Sequence, residues 1–530
     1  MRTSLPRNGF VSGWASAAAL VVLLTACASG TGTSAEPGGT LTFAAPDPFA
    51  SFDPHVIPGG GVNNPVMLLY DRLVHFDSSR KLWPELAESW TATPTAVTFK
   101  LKQGPTCSDG TPVTPEVVAA SIVREGAPST ANSFTKVTFG TSGYSVTTDD
   151  SAHTVTITTN QPFGDLLLAM AMPWSSIICP AGLANPGALA TQAFGSGPYK
   201  LVSNDAGTIT MVVRPEYNWG PHGMTTKQAR YPQKLIEKTG LGDEATAASE
   251  MLTGALDFFM FQGNDRTRFS GNTSFKSDSV PTPGASFIAV KEDGIFADQA
   301  IRQAIDLSMD PKALNQGRYS GYGVPSTSIV GTQSDCFDPN TSHSQVAFDP
   351  VTAKTLLDQD GWVVGSNGKR SKNGQKLAIH LVTEPEDLGA SDYILAQLQS
   401  LGFDVNAQVL DKSGWINTVF HTGNFDITLQ PNGGSMPTPS QPFNYVSGPN
   451  FPDGTNLFHV QDPAVNSAVL TARASTGDQR CASWATAQEA LLKNYEAKPF
   501  ASAPYDWIFK STVSLQAMPG QYFDPFTISS

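Results

Sequence analysis

Positive charge is scarce in this chain of 530 residues. Lysine and arginine number 33 against 46 aspartate and glutamate, which leaves a formal net charge of −13. A chain this acidic is repelled by nucleic acid and by anionic lipid, so we do not expect a nucleic-acid partner. Charged residues make up only 15% of the chain and hydrophobic residues 40%, a composition that excludes a disordered or coiled-coil protein.

Motifs of enzymes and metal sites are missing as well. The sequence has no G-x-S-x-G elbow, no H-E-x-x-H pair and no P-loop, and no cysteines or histidines at C-x-x-C or H-x-x-x-H spacing. Glu384, Glu386 and Asp387 are close in sequence, but proximity does not show that two acids face each other across a glycoside. We therefore expect no enzyme activity, no metal and no cofactor.

Long apolar runs are limited to the N-terminus. Arg2 and Arg7 precede the apolar run 17–24, which is too short to span a membrane, and Leu24-Thr25-Ala26-Cys27 follows it. That last string resembles the lipobox of bacterial lipoproteins, which implies cleavage after a signal peptide at 1–26 and acylation of Cys27. We expect export, a flexible tether at 27–37 and anchoring to the outer face of the cell membrane; a plain secretory signal is the alternative.

Four cysteines remain after this segment, namely Cys107, Cys179, Cys336 and Cys481. In an exported chain four thiols favour two disulfides, for which three connectivities exist. The sequence pattern alone does not choose between them.

Helical and alternating patterns are mixed along the chain, which indicates an α/β architecture. Thr114-Pro115 has the pattern of a helix N-cap followed by proline in the first turn. Asp149-Asp150 separates two alternating runs and predicts a hairpin. The expected strands are 39–44, 97–102, 146–148 and 154–158, and the expected helices are 63–74 and 117–124.

Several ordered strings resemble one family, the peptide-type (family 5) extracellular solute-binding lipoproteins of bacterial ABC importers, which include oligopeptide- and dipeptide-binding proteins. The resemblance runs from residue 38 to about 425. The strings are Gly38–Leu41, Ser51–Pro54, Leu69–Val74, Pro84–Trp90, Thr98–Gly104, Ser108–Thr114, Gly195–Tyr199, Leu252–Asp257, Ile301–Asp306, Asp349–Leu357 and Gly361-Trp362.

The resemblance implies a two-lobed fold with a hinge and a cleft, and a third small domain inserted into the first lobe. We place the first lobe at 38–71, 191–290 and 497–530, the inserted domain at 72–190 and the second lobe at 291–496. Within these borders Cys107 is expected to pair with Cys179, and Cys336 with Cys481. Most of the strings are expected to be scaffold, including Glu85, Asp109-Gly110 and an ion pair of Arg302.

In similar peptide binders, two segments lend backbone groups to an extended ligand. Here these are Phe49-Ala50-Ser51 and the stretch 424–439. The family places a tryptophan and an aspartate in the second segment, and ungapped alignment puts Asn432 and Ser435 at those positions. The predicted ligand-binding residues are Phe49, Ala50, Ser51, Trp415, Asn432, Gly433, Gly434 and Ser435.

These departures affect the expected charge of the ligand. Ser435 replaces a carboxylate poorly in front of a desolvated ammonium, unless Asp411 or Asp426 takes that role. No arginine lies between Arg370 and Arg473, so a clamp for a ligand carboxylate is missing from that stretch. Aromatic faces for a neutral ligand are available, although such residues also form cores: Trp415, Phe443, Tyr445 and Trp484.

We expect a monomeric binding protein that captures a solute and delivers it to ABC permease subunits. The expected solute is a peptide, and the alternatives are a neutral oligosaccharide or a metal chelate. A sensory or adhesive lipoprotein with the same cleft is a further alternative.

Overall fold

The computed structural model describes residues 38–56, 64–132, 134–228, 231–430, 436–518 and 522–529, which belong to one compact unit. Within these ranges no helix is both long and apolar enough to cross a membrane. The predicted signal peptide, the lipidation site Cys27 and the tether lie outside the described residues.

The strands follow in chain order. They are β1 (Thr40–Ala44), β2 (Val74–Phe76), β3 (Leu82–Pro84), β4 (Ala87–Thr93), β5 (Ala96–Leu101), β6 (Tyr144–Asp149), β7 (Thr154–Thr159), β8 (Tyr199–Asp205), β9 (Thr208–Val213), β10 (Lys234–Lys238), β11 (Phe258–Phe261), β12 (Phe275–Pro281), β13 (Ser286–Val290), β14 (Val324–Pro325), β15 (Val363–Val364), β16 (Arg370–Lys372), β17 (Gln375–Lys376), β18 (Ala378–Thr383), β19 (Asp404–Val409), β20 (Ile427–Gln430), β21 (Lys498–Ser502), β22 (Pro504–Lys510), β23 (Ala517–Met518) and β24 (Tyr522–Phe523).

The α-helices are mostly short. They are α1 (Asn64–Leu69), α2 (Pro115–Glu125), α3 (Thr135–Phe139), α4 (Leu166–Ala169), α5 (Pro180–Ala184), α6 (Glu244–Leu252), α7 (Gln299–Ser308), α8 (Pro311–Tyr319), α9 (Pro350–Gln359), α10 (Leu388–Ser400), α11 (Lys412–Ile416), α12 (Ser440–Phe443), α13 (Pro463–Ala474) and α14 (Gly477–Lys493).

A seven-stranded sheet forms the first lobe, in the order β12-β22-β11-β1-β10-β9-β8. Its central strand β1 runs parallel to β10 and β11, and the other neighbours in this sheet pair antiparallel. The alternation in Thr-Leu-Thr-Phe-Ala puts Leu41 and Phe43 into the core, where the ring of Phe43 stacks on Phe258 with 4.7 Å between centroids.

A six-stranded sheet forms the second lobe, in the order β14-β21-β13-β20-β18-β19. Strands β19 and β20 pair parallel to β18, whereas β13 pairs antiparallel to both β20 and β21. The mixture of parallel and antiparallel strands in both large sheets confirms the predicted α/β class.

The inserted domain has its own antiparallel sheet, in the order β4-β5-β7-β6. The predicted hairpin is present, with Asp149 paired to Thr154 where β6 turns into β7. Thr114 caps α2 as expected, because its hydroxyl accepts the amide of Val117 at 3.4 Å. The predicted helix at 63–74 is shorter, since α1 ends at Leu69 and Val74 begins strand β2.

Sheet membership shifts two of the predicted lobe borders by a few residues. Strands β13 and β21 belong to the six-stranded sheet, although the predicted borders at 290 and 497 place them in the first lobe. Pro281, Pro283 and Gly284 mark the first change of sheet, whereas only Ala503 separates β21 from β22. One extended run of sequence therefore supplies strands to both sheets, and the change is marked only by Pro504, the first residue of β22.

Both predicted disulfides are formed. Cys107 is bonded to Cys179 and Cys336 to Cys481, with 72 and 145 residues of sequence separation. Each bond lies within one predicted domain, as the pairing assumed.

Candidate functional site

Two chain segments cross between the large sheets side by side. One joins β12 to β13 and the other joins β21 to β22. The amide of Thr282 donates to the carbonyl of Ala503 at 3.0 Å, and the amide of Ala503 donates to the Thr282 hydroxyl at 2.9 Å. Two short crossings held together in this way form a hinge, because a few backbone torsions there rotate one lobe against the other.

A third segment packs against this hinge at Gly331. Its amide donates to the carbonyl of Pro283 at 2.8 Å, and a Cβ on Gly331 would lie 2.5 Å from the Ser502 hydroxyl oxygen. Glycine is therefore required where the second lobe approaches both crossings.

The first-lobe segment Phe49-Ala50-Ser51 follows β1 toward the inserted domain. The Ser51 hydroxyl donates to the carbonyl of Leu189 at 3.2 Å, and the amide of Phe52 donates to the same carbonyl at 3.0 Å. Phe49 is half-buried with its ring 4.4 Å from that of Phe52, and Ala50 is exposed. The segment is thus fixed at its C-terminal end, while Phe49 and Ala50 keep accessible surface.

The loop that follows is held by a charged cluster. Both Nη atoms of Arg124 donate to the Asp53 carboxylate, at 3.0 and 2.5 Å, and Nη1 lies 2.9 Å from Nδ1 of His55. Burial and the nearby guanidinium lower the pKa of His55 to about 4, so the imidazole is neutral at physiological pH. Nδ1 then accepts from Arg124, and Nε2 donates to the carbonyl of Ser176 at 3.1 Å.

On the second lobe, Trp415 lies in the apolar core with 5% of its surface exposed. Its indole N–H donates to the Thr428 hydroxyl at 3.2 Å, and its ring packs edge-on against Phe420. Asn432, Gly433, Gly434 and Ser435 lie outside the described residues. Their role in ligand binding stays a prediction, as does that of Trp415, whose burial favours a core position.

The residues that flank this stretch are buried. The amide of Met436 donates to the Gln441 side-chain oxygen at 2.7 Å, so the chain beyond 435 is fixed to α12. Oε1 of Gln430, at the end of β20, is buried and has no hydrogen-bond partner among the described residues. An unpaired buried amide oxygen is costly, which makes Gln430 a candidate contact for a bound solute.

The inserted domain and the second lobe meet directly. The Asp165 carboxylate accepts from Arg480 Nη2 at 2.6 Å and from the Thr438 hydroxyl at 2.9 Å. The amide of Gly164 donates to the carbonyl of Arg473 at 3.3 Å. In this structure the surface between the inserted domain and the second lobe is therefore occupied by protein contacts, the arrangement expected of a closed form.

A hinge of two adjacent crossings between two mixed sheets fits the expected binding-protein fold, and sequence comparison decides the family. The sequence profile described as "Bacterial extracellular solute-binding proteins, family 5 Middle" matches residues 81–452, more than half of the chain. The chain belongs to this family.

Among curated relatives, this family 5 protein is 26% identical over 305 residues to the glutathione-binding protein GsiB of Escherichia coli K12, an alignment that covers 56% of each chain. It is thus matched over about half the length of that relative. It is also 26% identical over 382 residues to the probable peptide ABC transporter periplasmic-binding protein y4tO of Sinorhizobium fredii, covering 69% of this chain and 68% of the relative.

A solved structure matches almost the whole chain. It is a substrate binding protein from Microbacterium hydrocarbonoxydans in complex with 4-hydroxybenzoate hydrazide. The TM-score is 0.76 at 27% identity, and the alignment covers 93% of this chain and 99% of that one. The two-lobed fold expected from the sequence is therefore shown.

Several strings of the family 5 resemblance form buried scaffold in the first lobe and inserted domain. Arg72 pairs with Glu85 at 2.9 Å, and both side chains are fully buried. The Asp71 carboxylate accepts from the Tyr217 hydroxyl at 2.9 Å and from the Trp219 indole at 2.8 Å, while burial raises its pKa. These contacts account for the residue types without invoking a ligand.

The remaining candidate acids and cations of the family 5 protein are also engaged in the fold. Asp426 accepts the amide of His380 at 2.8 Å and Asp411 accepts the amide of Gly414 at 2.7 Å, which ties each to its own lobe. Glu386 and Asp387 both pair with Arg318, at 3.2 and 2.5 Å. Arg302 lies 3.3 Å from Glu292, the ion pair expected for it.

Two arginines at the interlobe surface were missed by sequence reasoning. Arg473 and Arg480 lie on α13 and α14, just beyond the arginine-free stretch, and tertiary packing brings both to Asp165. Nη2 of Arg473 donates to the Asn444 side chain at 2.6 Å, whereas its buried Nε has no partner among the described residues. No local motif distinguishes these arginines from surface residues of a helix.

Proposed function

We propose that this chain is the solute-binding component of an ABC importer and that its solute is a peptide. Family membership and the hinge between two lobes support the transport role. The peptide class is supported by the names of its relatives, which are a glutathione-binding protein and a probable peptide ABC transporter protein. The observation that carries the proposal is the pair of adjacent crossings at Thr282 and Ala503.

The mechanism follows from the hinge. A solute that contacts both lobes binds the closed form better than the open form, so binding shifts the population toward closure. The closed shape is then the signal that the permease recognises. The protein performs no chemistry on the solute in this mechanism and acts as a monomer.

The charged side chains at the interlobe surface restrict which peptides can bind. Asp165 is an acid at the interlobe surface, and Arg480 already pairs with it in the closed form. Such an acid does not replace the water around a ligand ammonium as a free carboxylate would. We therefore propose that the ligand's amino terminus is blocked or is held by neutral acceptors such as Gln430.

Native mass spectrometry of protein purified without denaturation tests the proposal. A co-purified peptide mass, lost on unfolding and exchanged by added peptides, is the expected result. Calorimetry with free dipeptides, N-acetylated peptides and an oligosaccharide set follows. Tight binding of an oligosaccharide with no peptide binding would refute the peptide class and leave the transport role standing. A protein that binds no solute from any set would refute the transport role as well.

We further propose that Cys27 carries the lipid that anchors the protein outside the cell membrane. The string Leu24-Thr25-Ala26-Cys27 and the small residues that follow support this. More than one acyl chain gives stable attachment, whereas a single chain gives only reversible binding.

A further inference from the structure

Four contacts that join the inserted domain to the second lobe converge on a small surface. Three involve Gly164 and Asp165, as described above. The fourth is a hydrogen bond from Arg80 Nη1 to the carbonyl of Ser334 at 2.7 Å. The second-lobe partners come from three separate places in the sequence, namely 334, 438 and the helices that carry Arg473 and Arg480.

The disulfide Cys336–Cys481 brings two of these places together. Asp335 precedes one cysteine and Arg480 precedes the other, and Arg480 Nη1 donates to Asp335 Oδ2 at 2.6 Å. The amide of Asp335 in turn donates to the carbonyl of Pro437 at 2.9 Å, next to Thr438. The bond thus fastens the 334–336 segment to α14 and to the segment that contacts Asp165.

Arg480 lies between two carboxylates that belong to different domains. Asp335 belongs to the same lobe, so its contact with Arg480 persists when the lobes separate. Asp165 belongs to the inserted domain, so separation of that domain from the second lobe would break its contact with Arg480. The side chains of Arg480 and Asp165 are 12% and 4% exposed in this arrangement, so water screens the pair little while the two surfaces are in contact.

We propose that Asp165 and Arg480 form a latch that stabilises the closed form, and that the Cys336–Cys481 disulfide positions Arg480 through Asp335. Arg480 is a positioning residue for closure rather than a contact to the solute. The inference rests on the proposed function, since it assigns the latch to the same lobe closure. It makes closure dependent on the oxidised state of one disulfide and not of the other, because Cys107–Cys179 carries none of the four contacts.

Hydrogen exchange measured by mass spectrometry tests the latch in the detergent-solubilised full chain, without added solute. The reporter is the amide of Gly164, which is bonded across the lobes in the closed form. The matched variants are Asp165→Asn and Asp335→Asn, because each removes one carboxylate from the same guanidinium. We expect Asp165→Asn to accelerate exchange of the Gly164 peptide roughly tenfold, and Asp335→Asn to accelerate it clearly less.

The disulfide arm uses Cys336→Ser/Cys481→Ser against Cys107→Ser/Cys179→Ser. Only the first pair is expected to accelerate Gly164 exchange, by a factor similar to that of Asp165→Asn. Exchange within α10 reports whether the second lobe is folded. If the first pair does not fold, the Cys107→Ser/Cys179→Ser variant, reduced and alkylated after folding, replaces it and is compared with the same variant left oxidised.

Equal exchange in wild type and Asp165→Asn would overturn the latch, and so would equal acceleration by the two aspartate variants. Unchanged Gly164 exchange after loss of Cys336–Cys481, with α10 intact, would overturn the role of the disulfide. Because no solute is present, these outcomes are independent of the calorimetry that tests solute binding.

Discussion

Several buried charges in this protein are matched to partners residue by residue. Arg72 and Glu85 illustrate this, since two fully buried ions bond to one another and the Glu85 carboxylate also accepts the amide of Arg72 at 3.1 Å. Removing one partner of such a pair leaves the other charge without compensation. Glu88 lies in the same string and pairs with Lys100, but both of those side chains are largely exposed.

We expect Glu85→Ala to lower the free energy of unfolding by about 3–5 kcal/mol. Glu88→Ala is the matched control and is expected to cost about 0–1 kcal/mol, because water already solvates both of its charges. Urea unfolding followed by circular dichroism measures both. Similar losses of unfolding free energy in the two variants would show that the Arg72–Glu85 pair does not stabilise the fold.

Glu125 provides a pH prediction at the same scale. It is buried at the end of α2, accepts the Ser175 hydroxyl at 2.9 Å, and burial raises its pKa to about 8. Between its ordinary pKa and about 8, the folded chain holds a proton that the unfolded chain has released. Stability is therefore lost as pH rises through that window, by about 1.4 kcal/mol per pH unit from this group alone.

Glu125→Gln is expected to remove this share of the pH dependence. The free energy of unfolding of the variant, relative to that of the wild type, should therefore rise between pH 5 and pH 8. Denaturant unfolding at both pH values checks it. The control is Glu489→Gln, a change at a partly exposed carboxyl group, and it is expected to follow the wild type. If the free energy of unfolding changed equally with pH in wild type and Glu125→Gln, the raised pKa would be contradicted.

At the scale of elements, close backbone approach explains the string Gly195–Tyr199. A Cβ on Gly197 would lie 2.6 Å from the carbonyl carbon of Leu69 and 2.7 Å from the carbonyl oxygen of Leu68. The glycine lets the chain that leads into β8 pass against the end of α1, where its own amide donates to the Leu69 carbonyl at 3.1 Å. Contacts this short involve backbone atoms that cannot rotate away.

Gly197→Ala is accordingly expected to destabilise the fold by about 1–3 kcal/mol or more, the usual range for overpacking. Gly187→Ala is the control, because its Cβ would meet only an Asn185 side-chain oxygen at 3.9 Å. Thermal melting distinguishes the two, and a Gly197→Ala melting temperature equal to that of the control would refute the packing argument.

At the scale of the whole molecule, the proposed anchor at Cys27 precedes the described residues, which begin at residue 38. We expect Cys27→Ala to release a folded protein into the soluble fraction, since acyl chains and not the lobes provide attachment. Labelled palmitate should enter only the wild type. A variant that still sediments with membranes, despite an unchanged circular dichroism spectrum, would show that the lipobox assignment is wrong.

Much of the fold was predictable because it depends on local patterns. Alternation identified β1 and β5, Thr114-Pro115 identified the start of α2, and Asp149-Asp150 identified the turn between β6 and β7. Helix α1 ends at Leu69, before its predicted end at 74, because Asp71 and Arg72 make buried contacts outside the helix and Val74 begins strand β2. The border at Ala503 is marked only by Pro504, which a strand tolerates as its first residue, so one extended run serves two sheets.

The sequence by itself determined the family and the fold class, because these follow from ordered strings. The resemblance to the family then implied which cysteines share a domain and pair. Only the tertiary structure decided which side chains meet between the lobes. Asp165 and Arg480 are 315 residues apart, and neither lies in a motif. Their contact arises from the packing of the inserted domain against α14, a relation between distant surfaces that no local pattern encodes.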